Sequence, residues 1–220
     1  MTALFVAGTD TGVGKTVVTG LLGRTLRQAG CRVTTQKWVQ TGEDLDIATH
    51  RRLIEEQGTI DPRRQPCQFT LPASPHLAAA AEKRRIDPAR IKSSLRVLEK
   101  QFELVLVEGA GGLLVPYSRR LLQIDLVAQL GLPVLLVAAN RLGAINQTLL
   151  SLEALAARKL RVIGVVFNQT GIEENAAVTA DNPKSVAGFS AATVLGILPC
   201  GKLEHVADSF RRQKIADAVL

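Results

Sequence analysis

Residues 8–16 read GTDTGVGKT, directly after the apolar run ALFVA and directly before a helical pattern. No other stretch constrains the fold as strongly. A tight glycine-rich loop between a strand and a helix turns backbone N–H groups inward. The helix N-terminus adds the positive end of its dipole, so the loop is shaped to hold an anion. Gly8, Gly12 and Gly14 let the backbone approach phosphate oxygens with no Cβ in the way. Lys15 can reach the β- and γ-phosphates of a nucleotide, and the Thr16 hydroxyl can ligate Mg²⁺. Five residues separate Gly8 from Gly14, one more than the strict GxxxxGK[ST] pattern has.

Short aliphatic runs recur between helical patterns along the rest of the chain. Strands are expected at Leu4–Gly8, Arg32–Val39, Leu104–Glu108, Pro133–Ala139, Val162–Asn168 and Val194–Leu198. The middle ones are almost continuously apolar, as parallel strands buried on both faces are. Helices are expected at 16–29, 43–57, 88–100, 145–158 and 203–218, with another beginning near Ser74. In the first, Val18, Leu21, Leu22, Thr25 and Ala29 share one face. Asp87-Pro88 places an N-cap before a proline at the first helical position. Thr170–Ser190 is polar, carries Gly, Asn and Pro, and reads as a long loop. Apolar residues make up 46% of the chain and aromatics only 4%, which favours aliphatic strands covered by helices. The alternation predicts one α/β domain over residues 1–220: a P-loop NTPase fold with a mostly parallel central sheet and helices on both faces.

A Mg²⁺ ion prefers hard oxygen ligands, so the loop needs an acid near Thr16. Glu108 ends the run LVLV and opens GAGG, at the carboxyl end of a strand, where open α/β sheets bind ligands. Asp44 and Asp46, in TGEDLDIATH after the second strand, are the other candidates. Lys37 ends that second strand, with Thr41-Gly42 beyond. The first and second strands are expected to be neighbours, so that their carboxyl ends share one crevice.

The charge and cysteine patterns narrow the partners. Net charge is +7, yet no base-stacking aromatics lie between the basic residues, and nucleic acid is not expected as a ligand. The longest apolar run, near 132–139, is far too short to span a bilayer. The C-terminal HVADSFRRQKIADAVL is mildly amphipathic and basic, and reads as a packed terminal helix. The start of the chain shows no cleavable apolar segment, because Gly8 and Asp10 interrupt it. Cys31, Cys67 and Cys200 have no metal-ligand spacing and read as reduced thiols of a cytoplasmic protein. His50, His76 and His205 are dispersed, and none is assigned as a catalytic base.

Taken together the motifs resemble the dethiobiotin synthetases, ATP-dependent enzymes of biotin biosynthesis. GTDTGVGKT looks like that family's phosphate loop, extra residue included. KWVQTG at 37–42 resembles its KPVxSG or KPVxTG segment. SPHLAA at 74–79, EGAGGLLVP at 108–116, RLGAINQTLL at 141–150, VVFN at 165–168 and LGILP at 195–199 follow in the family's order. The likeness covers nearly the whole chain.

The resemblance implies a reaction: 7,8-diaminononanoate, CO₂ and ATP give dethiobiotin, ADP and phosphate through a phosphorylated carbamate. It implies ATP as co-substrate, Mg²⁺ as cofactor and a homodimer. Lys37 takes the catalytic-lysine position, with Lys15 neutralising the phosphates. Nucleotide contacts fall to Gly12, Val13, Gly14, Lys15, Thr16 and Val17. Further contacts fall to Asp46, Glu108, Gly109, Ala110 and Gly111. Asn168 and Gln169, with Pro199, Cys200 and Gly201, fall around the adenine. Thr16, Asp46 and Glu108 are the implied metal ligands, Asp46 preferred over Asp44 because DIAT opens a helix as in the family. Thr11 and Thr41 take substrate positions. Gly143, Ala144, Ile145 and Asn146 offer N–H groups to the substrate carboxylate across the dimer interface. The chain departs from the family at Trp38, which replaces the usual proline. It also departs at the short loop between Thr41 and Asp46, and at Gly12, where some relatives carry an acid. The rival reading is a partition or septum-positioning ATPase. Those usually carry an extra lysine early in the loop, where this chain has Thr9-Asp10-Thr11. An amide-forming relative would call for an ammonia source, and the chain shows no glutaminase-like segment.

Overall fold

A computed structural model describes residues 1–43, 46–171, 175–201 and 203–219. Asp44, one of the two aspartates considered for the metal, lies outside the described residues. In chain order the elements are β1 (Ala3–Gly8), α1 (Lys15–Gln28), β2 (Val33–Lys37), β3 (Val39–Thr41), α2 (Asp46–Ile54), β4 (Cys67–Phe69), α3 (Pro75–Ala81) and α4 (Pro88–Gln101). There follow β5 (Leu104–Gly112), β6 (Pro116–Ser118), β7 (Leu121–Leu122), α5 (Gln123–Leu130), β8 (Val134–Ala139), α6 (Ala144–Ala157), β9 (Val162–Asn168), α7 (Ala176–Phe189), β10 (Val194–Leu198) and α8 (Leu203–Arg212).

Six strands form one parallel sheet in the order β10-β9-β8-β1-β5-β2. Side chains alternate across it. Leu4 and Val6 of β1 enter the core under α1 and α8, while Phe5 and Ala7 enter the opposite core, with Ile91, Leu95 and Leu98 of α4. Helices therefore cover both faces, as the continuous apolar runs require.

Three sequence readings are corrected. The first and second strands are not neighbours: β5 lies between β1 and β2. That insertion brings Glu108 level with Val6 on one side and Lys37 on the other. The expected strand Arg32–Val39 divides at Trp38, after which β3 leaves the main sheet and pairs with β4.

The third correction is α7, which occupies most of the segment read as a loop. Asn175 caps it, its Oδ1 accepting from Ala177 N at 2.9 Å. Pro183 inside the helix leaves the Thr179 carbonyl, four residues earlier, without its helical donor. The Asn140 side chain supplies that donor at 2.9 Å, and Asn182 donates back to Asn140 Oδ1 at 2.9 Å. A proline that argues for a loop in the sequence is thus accommodated by a buried asparagine from the β8 end.

Other differences are smaller. β5 runs four residues past Glu108, to Gly112. The expected C-terminal helix stops at Arg212, and a 3₁₀ turn at Ile215–Ala218 follows Lys214. Between them Gln213 closes the open edge of β10. It donates to Ile197 O at 2.6 Å and accepts from Ile197 N at 2.5 Å, standing in for a missing strand.

Candidate active site

The loop after β1 is shaped by close approaches. Thr9 N donates to Val137 O of β8 at 3.0 Å, anchoring the loop's start to the sheet. A Cβ at Gly8 would stand 2.8 Å from Lys15 Nζ and 2.9 Å from Asp10 O, so only glycine fits. Gly14 has φ +93° and precedes α1, whose first bond runs from Val18 N to Gly14 O at 3.1 Å. Lys15 is folded over the loop, donating to Gly111 O at 2.8 Å and Asp10 O at 3.1 Å. Burial lowers its pKa to about 8; Lys37 pushes in the same direction, and the nearby carboxylates only partly offset the two.

Thr16 sits in the first turn of α1, between two acids. Its Oγ1 is 3.1 Å from Asp46 Oδ1 and 3.1 Å from Glu108 Oε1. Asp46 opens α2, where Gln40 Oε1 accepts from its backbone N–H at 3.3 Å. Lys37 spans both acids, at 2.6 Å from Asp46 Oδ2 and 2.7 Å from Glu108 Oε1, and donates to Gly109 O at 3.0 Å. Burial alone would push the Lys37 ammonium down, but Glu108 and Asp46 outweigh it and hold its pKa above the ordinary lysine value. Glu108 is only 1% exposed. Burial would raise its pKa, yet Lys37 and His50 hold it well below the usual carboxylate range. Lys37 and Glu108 are therefore held ionised as a pair.

These groups line a cavity of about 490 Å³ together with Thr11, Gly12, Thr41 and Ala110. Of the other expected nucleotide positions, Ala110 and Gly111 line it, whereas Gly109, Asn168, Gln169 and residues 199–201 are not among its lining residues. Gln123 Oε1 accepts from Ala110 N at 2.7 Å and from Tyr117 Oη at 2.9 Å, which fixes the Gly109–Gly111 stretch at the end of β5. Asn168, at the end of β9, donates to Val13 O at 3.0 Å and packs against Gly14. Gln169 N donates to Leu198 O at 2.9 Å, so Pro199, Cys200 and Gly201 leave β10 beside Asn168.

Gly143–Asn146 is set apart from the others. Gly143 (φ +89°) caps α6, and the segment does not line this cavity. Trp38 fills the place of the usual proline with a side chain that has no exposed surface. Its indole N–H donates to Gln36 Oε1 at 3.1 Å, its ring centroid is 5.0 Å from that of Phe5, and its backbone N–H points to Glu108 O at 3.4 Å. A proline could not make that last contact.

Sequence reasoning passed over His50. It lies on α2, one turn after Asp46, fully buried, with Nε2 2.6 Å from Glu108 Oε2. The i,i+4 spacing from Asp46 was the available signal.

The donors that meet at Thr16 (its hydroxyl and the carboxylates of Asp46 and Glu108) are hard oxygens, the set that suits Mg²⁺, which binds proteins through one or two carboxylates and completes its shell with water and phosphate. Among the described residues no cluster of three or more His, Cys, Asp or Glu forms an all-protein metal cage. The residues present thus fit a magnesium–nucleotide and not a metal held by protein alone.

The chain is similar to known proteins over most of its length. A family described as an AAA domain matches residues 2–204. The ATP-dependent dethiobiotin synthetase of Chlorobaculum tepidum is 44% identical over 210 residues, covering 90% of this chain and 87% of that protein. That of Anaeromyxobacter dehalogenans is 42% identical over 202 residues, covering 90% of each. Among solved structures, the cell division ATPase MinD of Pyrococcus furiosus superposes with a TM-score of 0.60 at 19% identity, covering 100% of this chain and 98% of that one. This last likeness is one of fold.

Proposed function

The chain belongs to the family of ATP-dependent dethiobiotin synthetases, and from that premise we propose that it is a cyclo-ligase that closes a urea ring on 7,8-diaminononanoate. One amine takes up CO₂ as a carbamate and loses a proton. A carbamate oxygen then attacks the γ-phosphorus of ATP, the bond to the β-phosphate oxygen breaks, and ADP leaves. The second amine attacks the activated carbonyl, loses a proton and expels phosphate. Direct ring closure would have to expel an oxide, a poor leaving group, and phosphorylation removes that obstacle.

The observation that carries this reading is the convergence of Thr16, Lys37, Asp46 and Glu108 on one cavity at the mouth of the phosphate loop. Thr16, Asp46 and Glu108 would hold Mg²⁺, which when bound offsets phosphate charge. Lys15 neutralises the nucleotide from the loop side. Lys37 reaches the same cavity from β2 and stabilises the anionic carbamate and the phosphoryl group in transfer, as an electrostatic group and not a base. Alignment of carbamate and γ-phosphate contributes as much as any side chain. Thr11 and Thr41 contact the diamine, and Asn168 with residues 199–201 receives the adenine.

Gly143–Asn146 then acts on a second copy, binding the substrate carboxylate in a homodimer. Leu142 and Leu150, 83% and 56% exposed around that segment, are apolar side chains such an interface would cover. The protein works in the cytoplasm, consistent with three free cysteines. The MinD-like fold is no support for a partition role, since that likeness is 19% identical and the curated relatives point elsewhere. ADP release that requires both the diamine and bicarbonate is the expected result. Release that ignores the diamine would refute the assignment.

A further inference from the structure

Glu108 divides its two oxygens between different neighbours. Oε1 faces Thr16 and Lys37 at the cavity, while Oε2 meets His50 Nε2 at 2.6 Å in the interior. A carboxylate only accepts, so this bond puts the imidazole proton on Nε2. The other ring nitrogen, Nδ1, is buried and has no hydrogen-bond partner among the described residues.

That pairing is costly. An apolar side chain of similar size would fill the space without stranding a polar nitrogen. Among the described residues the imidazole has a single polar contact in return, and it falls on the acid that both β1 and β2 flank. Asp46 and His50 stand one helical turn apart on α2, so a single helix face presents an acid to the cavity and a donor to the acid opposite.

We propose that His50 is a positioning residue: it holds the Glu108 carboxylate by Oε2, fixes the plane of the group and so presents Oε1 to the nucleotide-bound cation. This rests on the reading that Glu108 helps to hold Mg²⁺. Partners behind a metal-binding side chain typically change affinity by about 10- to 100-fold when removed. His50 does not touch substrate and takes no part in bond making.

The test is Mn²⁺ binding in the presence of ADP, followed by electron paramagnetic resonance on the intact protein, with thermal melting of each ligand-free variant alongside. H50L should weaken Mn²⁺ binding about 10- to 100-fold. H50Q, whose amide N–H can occupy the Nε2 position, should stay within about threefold of the unaltered protein. Should H50L fail to fold, H50N replaces it: its amide reaches only as far as Nδ1, and the same loss is expected. E108Q is the control for the underlying reading and should lose at least about tenfold. If E108Q loses affinity while H50L and H50N do not, the role of His50 is refuted and that of Glu108 stands. H50Q as weak as H50L also refutes it. Unchanged binding in E108Q overturns both.

Discussion

Lys37 and Glu108 are direct partners in the β2–β5 ladder, and their side chains meet at 2.7 Å. Parallel pairing sets both groups at the carboxyl end of the sheet, on the same level as the phosphate loop. The pair is almost fully buried, so each charge depends on the other.

Lys37→Ala should therefore cut turnover much more than nucleotide binding. A preorganised donor of this kind is worth about 10²–10³-fold in kcat. ATP affinity, measured by calorimetry, should change by less than about threefold, because the loop and Lys15 hold the phosphates. Unchanged kcat would remove Lys37 from the chemistry.

Asp46→Asn should raise the Mg²⁺ concentration needed for half-maximal rate by about tenfold or more. Asp46 is the described acid that shares Thr16 with Glu108. Titration of activity against Mg²⁺ at saturating ATP checks this, and an unshifted midpoint would exclude Asp46 as a ligand.

Gly14→Ala tests the loop geometry. The residue sits at φ +93°, and a Cβ there would come within 2.1 Å of Asn168 Nδ2. Left-handed strain costs about 1–3 kcal/mol, and Asn168 would have to give up its bond to Val13. Nucleotide affinity should fall at least about tenfold, for each 1.4 kcal/mol lost is about a factor of ten. Retained affinity would mean that the loop relaxes more freely than its contacts suggest.

Much of this site was legible before any coordinates. The loop and Asp46 at a helix start follow from local patterns, and most main-sheet strands with α1, α4 and α6 appear close to where periodicity places them, whereas Glu108, read as a strand end, lies midway along β5, and α5 was not read at all. Strand order was not legible, because which strand enters between β1 and β2 is decided by the crossovers and not by local sequence. The α7 helix was hidden by Pro183, whose cost is met by Asn140, which follows β8 and lies far from the proline in sequence. His50 was hidden for the same reason: its role exists only once β5 is known to lie opposite α2.

Trp38 should matter more to stability than a surface-loop substitution would. Trp38→Ala, which empties a fully buried site, should cost about 3–5 kcal/mol. Trp38→Phe keeps most of the packing against Phe5 and loses the bond to Gln36, for a cost of about 1 kcal/mol. Urea denaturation followed by circular dichroism gives both values, and equal losses would place the indole N–H, not its bulk, at the centre of its role.

The central claim is that a CO₂-derived oxygen attacks ATP and departs with the phosphate. ¹⁸O-labelled bicarbonate, mixed rapidly with the protein, ATP, Mg²⁺ and the diamine in unlabelled water, tests it most directly. The account predicts one ¹⁸O in the released phosphate, up to the enrichment of the bicarbonate, for each ring closed, and another in the urea carbonyl. Phosphate that carries oxygen from water alone would contradict it.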